Sequence, residues 1–347
     1  MAGATPKLIK ELREKSGAGM LDCKKALNEC DGNIDDAVKF LREAGLVKAA
    51  KKSSNVAAEG IINILVNDNN TNATMIEINS QTDFVAKNEQ FLNLVNGITA
   101  HAQANDIADA AALATSSIEG QDFTTFLNEK IAVIGENLVA RKVSNVKGEV
   151  VNAYVHLGKV GVVLAATCDE AAKEKTVDLL KKVAMHAASM KPTVISYKDL
   201  AADFIESENK AIIADIEKLN EELVRLGKPL KNIPEFVSRV QLTEEAVAAA
   251  EAKMTEELLA QGKPEKIIGN IVKGKIAKWI EDNSQLDTAH ALLSQNYVMD
   301  DSMTVEQAIK AVDASIELTS YVRFELGEGI EKKEEDFAAE VAAQMGQ

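Results

Sequence analysis

The residues with the types and spacing to do chemistry are few, and most fail a second check. Gly269-Asn270-Ile271-Val272-Lys273-Gly274-Lys275 has the spacing of a phosphate-binding loop, whose backbone N–H groups cradle phosphate oxygens. Ile276 stands where a Mg²⁺-holding hydroxyl belongs and the surroundings read as helix, so no nucleotide site is expected there. Asp68, Asn70 and Asn72 imitate the first ligands of a calcium loop, but Ala73 replaces the turn glycine and Asn79 the bidentate glutamate. A plain hairpin turn fits better. His101, His156, His186 and His290 form no metal-ligand pair, no G-x-S-x-G elbow is present, and spacing alone pairs no carboxylates for acid–base work. His101 and His186 are expected to pack or cap, and Cys23 and Cys30 to be small buried residues on one helical face. No catalytic residue, metal or cofactor is nominated.

The remaining candidate is a recognition element. Ser80-Gln81-Thr82-Asp83-Phe84-Val85-Ala86-Lys87-Asn88 sets a large aromatic beside a carboxylate in an otherwise polar junction. Either Thr82 or Asp83 caps a helix while Phe84 tucks into the core, or Phe84 stands out as an apolar wedge for a partner. The elements around it read as a β-hairpin, with apolar residues at 61–66 and 74–78 flanking the turn 67–72, and then a helix over about 88–104. The same order returns at 150–156, the turn Leu157-Gly158-Lys159, 160–167 and a helix over about 174–189. Two related half-cores are expected, each needing more than two strands to be stable; 138–143 and 321–326 are further strand candidates.

Upstream, Thr5-Pro6 opens the first of three short helices. Gly17-Ala18-Gly19 and Asp31-Gly32-Asn33 separate them, the third is expected to end near Gly45, and Lys48, Lys51 and Lys52 then fall in a connector. After Pro192, Ile205, Asn209, Ile212, Ile216, Leu219, Leu223 and Leu226 follow a heptad-like seam. The run from Leu219 through Gly227-Lys228-Pro229 matches that from Met254 through Gly262-Lys263-Pro264 at a constant offset of 35, a local tandem duplication. An amphipathic tail carries Phe337, Val341 and Met345. The division that follows is a three-helix module at 1–54, a first core subdomain at 55–147, a second at 148–194 and 286–328, a helical arm at 195–285, and a C-terminal module at 329–347.

With 39 basic against 54 acidic residues the chain carries a net charge of −15, which repels phosphate backbones and excludes direct nucleic-acid binding as a first expectation. Three cysteines with no C-x-x-C pair fit a reducing compartment, and no apolar stretch is long enough for secretion or membrane spanning. A cytoplasmic, helix-leaning globular protein is expected.

Thr82-Asp83-Phe84-Val85-Ala86 resembles the signature of the translation elongation factor Ts family, and the segment from Leu12 to Leu27 resembles that family's N-terminal module. Lys48 to Lys52, Arg323 to Lys332 and Asp336 to Ala343 are similar to further blocks of it, in the family's order along nearly the whole chain. The resemblance implies a guanine-nucleotide exchange factor that binds elongation factor Tu, expels GDP and lets GTP enter, without covalent chemistry of its own. It implies an α+β fold with a three-helix ubiquitin-associated-like N-terminal module, a duplicated α+β core, an inserted helical coiled-coil arm that mediates homodimer contacts in several members, and a C-terminal helical module. It also implies that Phe84 wedges between helices of the partner's GTPase domain and disturbs its Mg²⁺ site, with Asp83 as polar companion and Thr82 and Val85 beside them. Arg13, Met20 and Leu21 match N-terminal contact positions, and His156 and the pair Val298 and Met299 match core contacts. Leu21 stands where some relatives have Met, and the duplicated arm departs from shorter relatives, so their dimer geometry does not carry over. Composition and periodicity alone equally permit a cytosolic helical adaptor without exchange activity.

Overall fold

In the computed structural model residues 4–331 are described, so most of the expected C-terminal module, with Phe337, Val341 and Met345, lies outside the described residues. Three helices come first, α1 (Pro6–Ser16), α2 (Met20–Glu29) and α3 (Ile34–Lys52). The hairpin β1 (Glu59–Val66) and β2 (Asn72–Ser80) leads through the single turn α4 (Asp83–Ala86) into α5 (Glu89–Ala104). Next come α6 (Ala110–Ala114), the two-residue strands β3 (Ser117–Ile118) and β4 (Gln121–Asp122), α7 (Phe123–Ile134), β5 (Val139–Lys147), β6 (Val150–His156), β7 (Val160–Thr167) and α8 (Lys173–Met190). α9 (Ala202–Arg225), α10 (Glu244–Ala260), α11 (Glu265–Asp282), α12 (Gln285–His290), β8 (Asn296–Tyr297), β9 (Asp300–Thr304), α13 (Val305–Val312) and β10 (Glu317–Glu325) follow. Helices and sheets are thus mixed, with sheets in the order β1-β2-β5 and β10-β7-β6. Two compact units result, one of residues up to Val163 with those from Val322, the other Leu164–Tyr321.

In the first unit Thr5 caps α1 by accepting the Leu8 N–H at 3.3 Å, and Leu12, Cys23, Ala26, Leu27 and Ala37 form the bundle's centre. Cys30 departs from expectation, closing α2 as its C-terminal cap and only partly buried. α3 departs further, running through Gly45 so that Lys48, Lys51 and Lys52 lie on its last turns. Gly45 is a packing residue, because a Cβ there would come within 3.0 Å of the Ala132 Cβ on α7. Glycine permits the close crossing of α3 and α7 and does not stop the helix.

β2 is the central strand, antiparallel to both β1 and β5, and is buried on both faces. Ile76 and Ile78 pack with Phe91, Leu94, Val95 and Ile98 of α5. Its buried Glu77 accepts at Oε1 from Arg141 Nη1 and Asn79 Nδ2, both at 3.0 Å, and from the Gly327 N–H at 2.9 Å. Lys142 bonds Glu328 at 3.0 Å and lies over the Phe324 ring. A charged acceptor in the sheet therefore ties down the chain after β10.

The tandem duplication is preserved at the helix ends and lost beyond them. Gly227 and Gly262 adopt φ +62° and +73°, and the next N–H groups close back onto Leu223 and Leu258 at 2.9 and 3.1 Å. After Gly262 the chain re-enters helix as α11, but after Gly227 it stays irregular. Pro234 stands where the second copy has Gly269 and supplies no N–H, and Asn220 captures Lys231 through its backbone N–H at 2.7 Å and carbonyl at 2.9 Å. Gly269 to Lys275, with phosphate-loop spacing, lies inside α11.

Candidate functional site

β2 ends at Ser80, opposite Glu59 of β1, and the chain then makes the four-residue turn α4. So short a helix does not hold itself together, because nucleation fixes several dihedrals for one hydrogen bond. Side chains do it instead. Thr82 Oγ1 accepts the Val85 N–H at 3.3 Å and donates to Glu136 Oε1 at 2.7 Å. Glu136 Oε2 accepts the N–H groups of Gln81 at 3.1 Å and Thr82 at 3.0 Å, and Ser80 Oγ donates to the Thr82 carbonyl at 3.0 Å.

Val85 and Ala86 pack against the core beneath α5, whereas Phe84, immediately before them, is 82% exposed. The two arrangements left open by the sequence divide between neighbours: Thr82 caps, Val85 goes in and Phe84 stays out. Asp83 Oδ2 accepts from Lys87 Nζ at 2.7 Å, and that ammonium holds the Asp83 carboxyl below the usual carboxylate range.

The turn after β6 lies at the same end of the β1–β2 hairpin. The Ile62 N–H donates to the Gly158 carbonyl at 2.7 Å, and Lys159 pairs with Glu59 at 3.8 Å. His156 is exposed, with Nδ1 2.9 Å from the Tyr154 hydroxyl. Leu157 is 85% exposed and sits at φ +51°, a left-handed conformation that a Cβ disfavours. Arg13, Met20 and Leu21 gather at the junction of α1 and α2, all exposed.

Val298 and Met299 belong to the other unit. They form the exposed two-residue turn between β8 and β9. Beneath them Gln295 Nε2 donates to the carbonyls of Met190 at 3.3 Å and Ala289 at 3.0 Å, which leaves Gln295 Oε1 to face His186 Nε2 at 3.0 Å. His186 must then carry its proton on Nε2, and its Nδ1 accepts the Val298 N–H at 3.2 Å. Burial pulls the His186 pKa below the usual histidine value, against the Gln295 hydrogen bond, and so favours this neutral form.

The structure therefore brings Thr82, Asp83, Phe84 and Val85 to the hairpin end that also carries His156, and sets Arg13, Met20 and Leu21 at a second place in that unit. Among the described residues no group of three or more His, Cys, Asp or Glu is arranged to hold a metal ion, and no helix is long and apolar enough to cross a membrane.

A profile of the family described as Elongation factor TS matches residues 81–328. The chain is also 68% identical, over 347 residues and the full length of both, to Elongation factor Ts of Aliarcobacter butzleri. The chain belongs to the elongation factor Ts family. Elongation factor Ts of Campylobacter fetus is 53% identical over 97% of this chain and 98% of its own, and that of Campylobacter hominis 50% identical over 99% of each. Within this family member, sequence reading missed Glu136, Leu157 and Gln295. Glu136 had a signal: it follows Gly135, the left-handed cap of α7, and so sets a carboxylate at the negative end of a helix dipole. Leu157 was legible only as part of a turn, and Gln295 carried no local signal at all.

Proposed function

We propose that this elongation factor Ts family member binds elongation factor Tu and accelerates its exchange of GDP for GTP. The observation that supports this best is Phe84, an aromatic ring held in water on a turn locked at both flanks. Exchange needs no acid or base, only partner binding and nucleotide binding that oppose each other. Mg²⁺ demands near-ideal octahedral geometry at about 2.1 Å, so a small helix displacement by an inserted ring disrupts its hold on the phosphates. Phe84 is the wedge, with Thr82, Asp83 and Val85 forming its mount. His156, Leu157, Arg13, Met20 and Leu21 of the same unit, and Val298 and Met299 of the other, supply further contacts with the partner. In this reading residues 1–54 are a ubiquitin-associated-like module, 195–285 are a coiled-coil arm suited to a homodimer contact, and the protein works in the cytoplasm.

Because the coupling is reciprocal, GDP must weaken the complex as much as the complex weakens GDP binding. Titrating complex formation with GDP tests this. Affinity that falls as GDP rises supports exchange, whereas affinity indifferent to GDP leaves an adaptor that binds without exchanging.

A further inference from the structure

We propose that Glu136 is a positioning residue for exchange, a carboxylate clamp that keeps Phe84 presented to the partner; this rests on the reading of Phe84 as the wedge. An exposed phenylalanine gains free energy by collapsing onto its own protein's surface, and a four-residue helix offers little resistance. Glu136 supplies the resistance from outside the turn. One oxygen gathers the N–H groups of Gln81 and Thr82, at 3.1 and 3.0 Å, and the other takes the Thr82 hydroxyl proton at 2.7 Å. That last bond sets the hydroxyl rotor, so that an Oγ1 lone pair faces the Val85 N–H and caps the turn. Three donors converge on one carboxylate whose own place, just past the C-terminal end of α7, is electrostatically unfavourable. Helix stability does not call for an acid there, and the turn that carries Phe84 does.

The test uses the full-length chain with Glu136→Ala and Glu136→Gln, each also combined with Phe84→Ala. Amide hydrogen exchange reads the turn, and the maximal acceleration of GDP release from elongation factor Tu reads function. In Glu136→Ala the Gln81 and Thr82 amides are expected to lose protection about tenfold or more, and maximal acceleration to fall about tenfold, equivalent to about 1.4 kcal/mol. Glu136→Gln keeps the length and one acceptor oxygen, and is expected to recover part of both. In the Phe84→Ala background Glu136→Ala is expected to add no further loss, since its effect runs through the ring.

Full acceleration despite unprotected amides, or losses that simply add, would overturn the proposal. Should Phe84→Ala itself keep full activity, the wedge reading falls. The proposed role in exchange falls with it, and amide protection then shows separately whether Glu136 still clamps the turn.

Discussion

Phe84→Ala removes a side chain that the free protein keeps 82% exposed, so what it loses is contact with a partner and not packing at home. A phenylalanine buries upwards of ~150 Å², and four-fifths of that at about 25 cal/mol per Å² gives about 3 kcal/mol. Allowing for the methyl that alanine retains, the expected loss of coupling is about 2–3 kcal/mol, or about 30- to 150-fold in stimulated GDP release. Folding stability should change by less than about 0.5 kcal/mol, as for a surface substitution that touches nothing. Release of fluorescent GDP from elongation factor Tu, measured beside the urea midpoint of the variant, reads both. A stimulated rate within about threefold of the parent would refute the wedge, and a midpoint that drops sharply would show that the ring is packed after all.

Glu77→Gln leaves Arg141 and the Gly327 N–H facing a neutral side chain, and is expected to cost about 2–4 kcal/mol in urea unfolding; a cost below about 0.5 would show that the cluster does not anchor the chain after β10. His186 has a folded pKa lowered by burial, so above its unfolded value near 6.5 both states are neutral and no proton is exchanged on folding. Below about 6.5 the unfolded state takes up the proton first, and stability falls with pH until the folded value is passed. His186→Gln should flatten that part of the stability profile, and an unchanged slope would contradict the neutral Nε2–H form. Leu157→Gly relieves a left-handed leucine, so folding stability should hold or rise by about 0.5 kcal/mol while affinity for elongation factor Tu drops by about 1–2. A less stable fold with unchanged affinity would mean that Leu157 serves the fold.

Much of this was legible in the sequence where a residue's local role and its tertiary role agree. Thr5 and Pro6 start α1 as such residues should, and of the apolar positions Phe91, Leu92, Leu94, Val95 and Ile98 all but the half-buried Leu92 face the core. Where the roles part, sequence misleads. Gly45 reads as a helix stop, but the helix continues because the missing side chain is needed for contact with Ala132, a residue 87 positions away that no local pattern reveals. The 35-residue offset reads as a local tandem duplication, but after the shared glycine one proline and one asparagine leave the first copy irregular where the second is helix.

At the candidate site the turn 82–86 was legible from its own residues, and so was the choice it posed for Phe84. The group that fixes the turn was not, because Glu136 lies 54 residues from Thr82 and reaches it only through the pairing of β5 with β2. His186 was legible as a packed or capping residue. That it caps the Val298 turn through Nδ1 follows only from Gln295, whose amide orientation is fixed by two carbonyls elsewhere.

The most direct measurement of exchange is the release of fluorescent GDP from elongation factor Tu, in excess unlabelled GDP, with this chain present at about one-tenth of the partner's concentration. If the chain is an exchange factor, release of the whole bound population is faster than the spontaneous rate, because each molecule acts on many partners in turn. Release at the spontaneous rate, with folded chain and active partner, would contradict the exchange function.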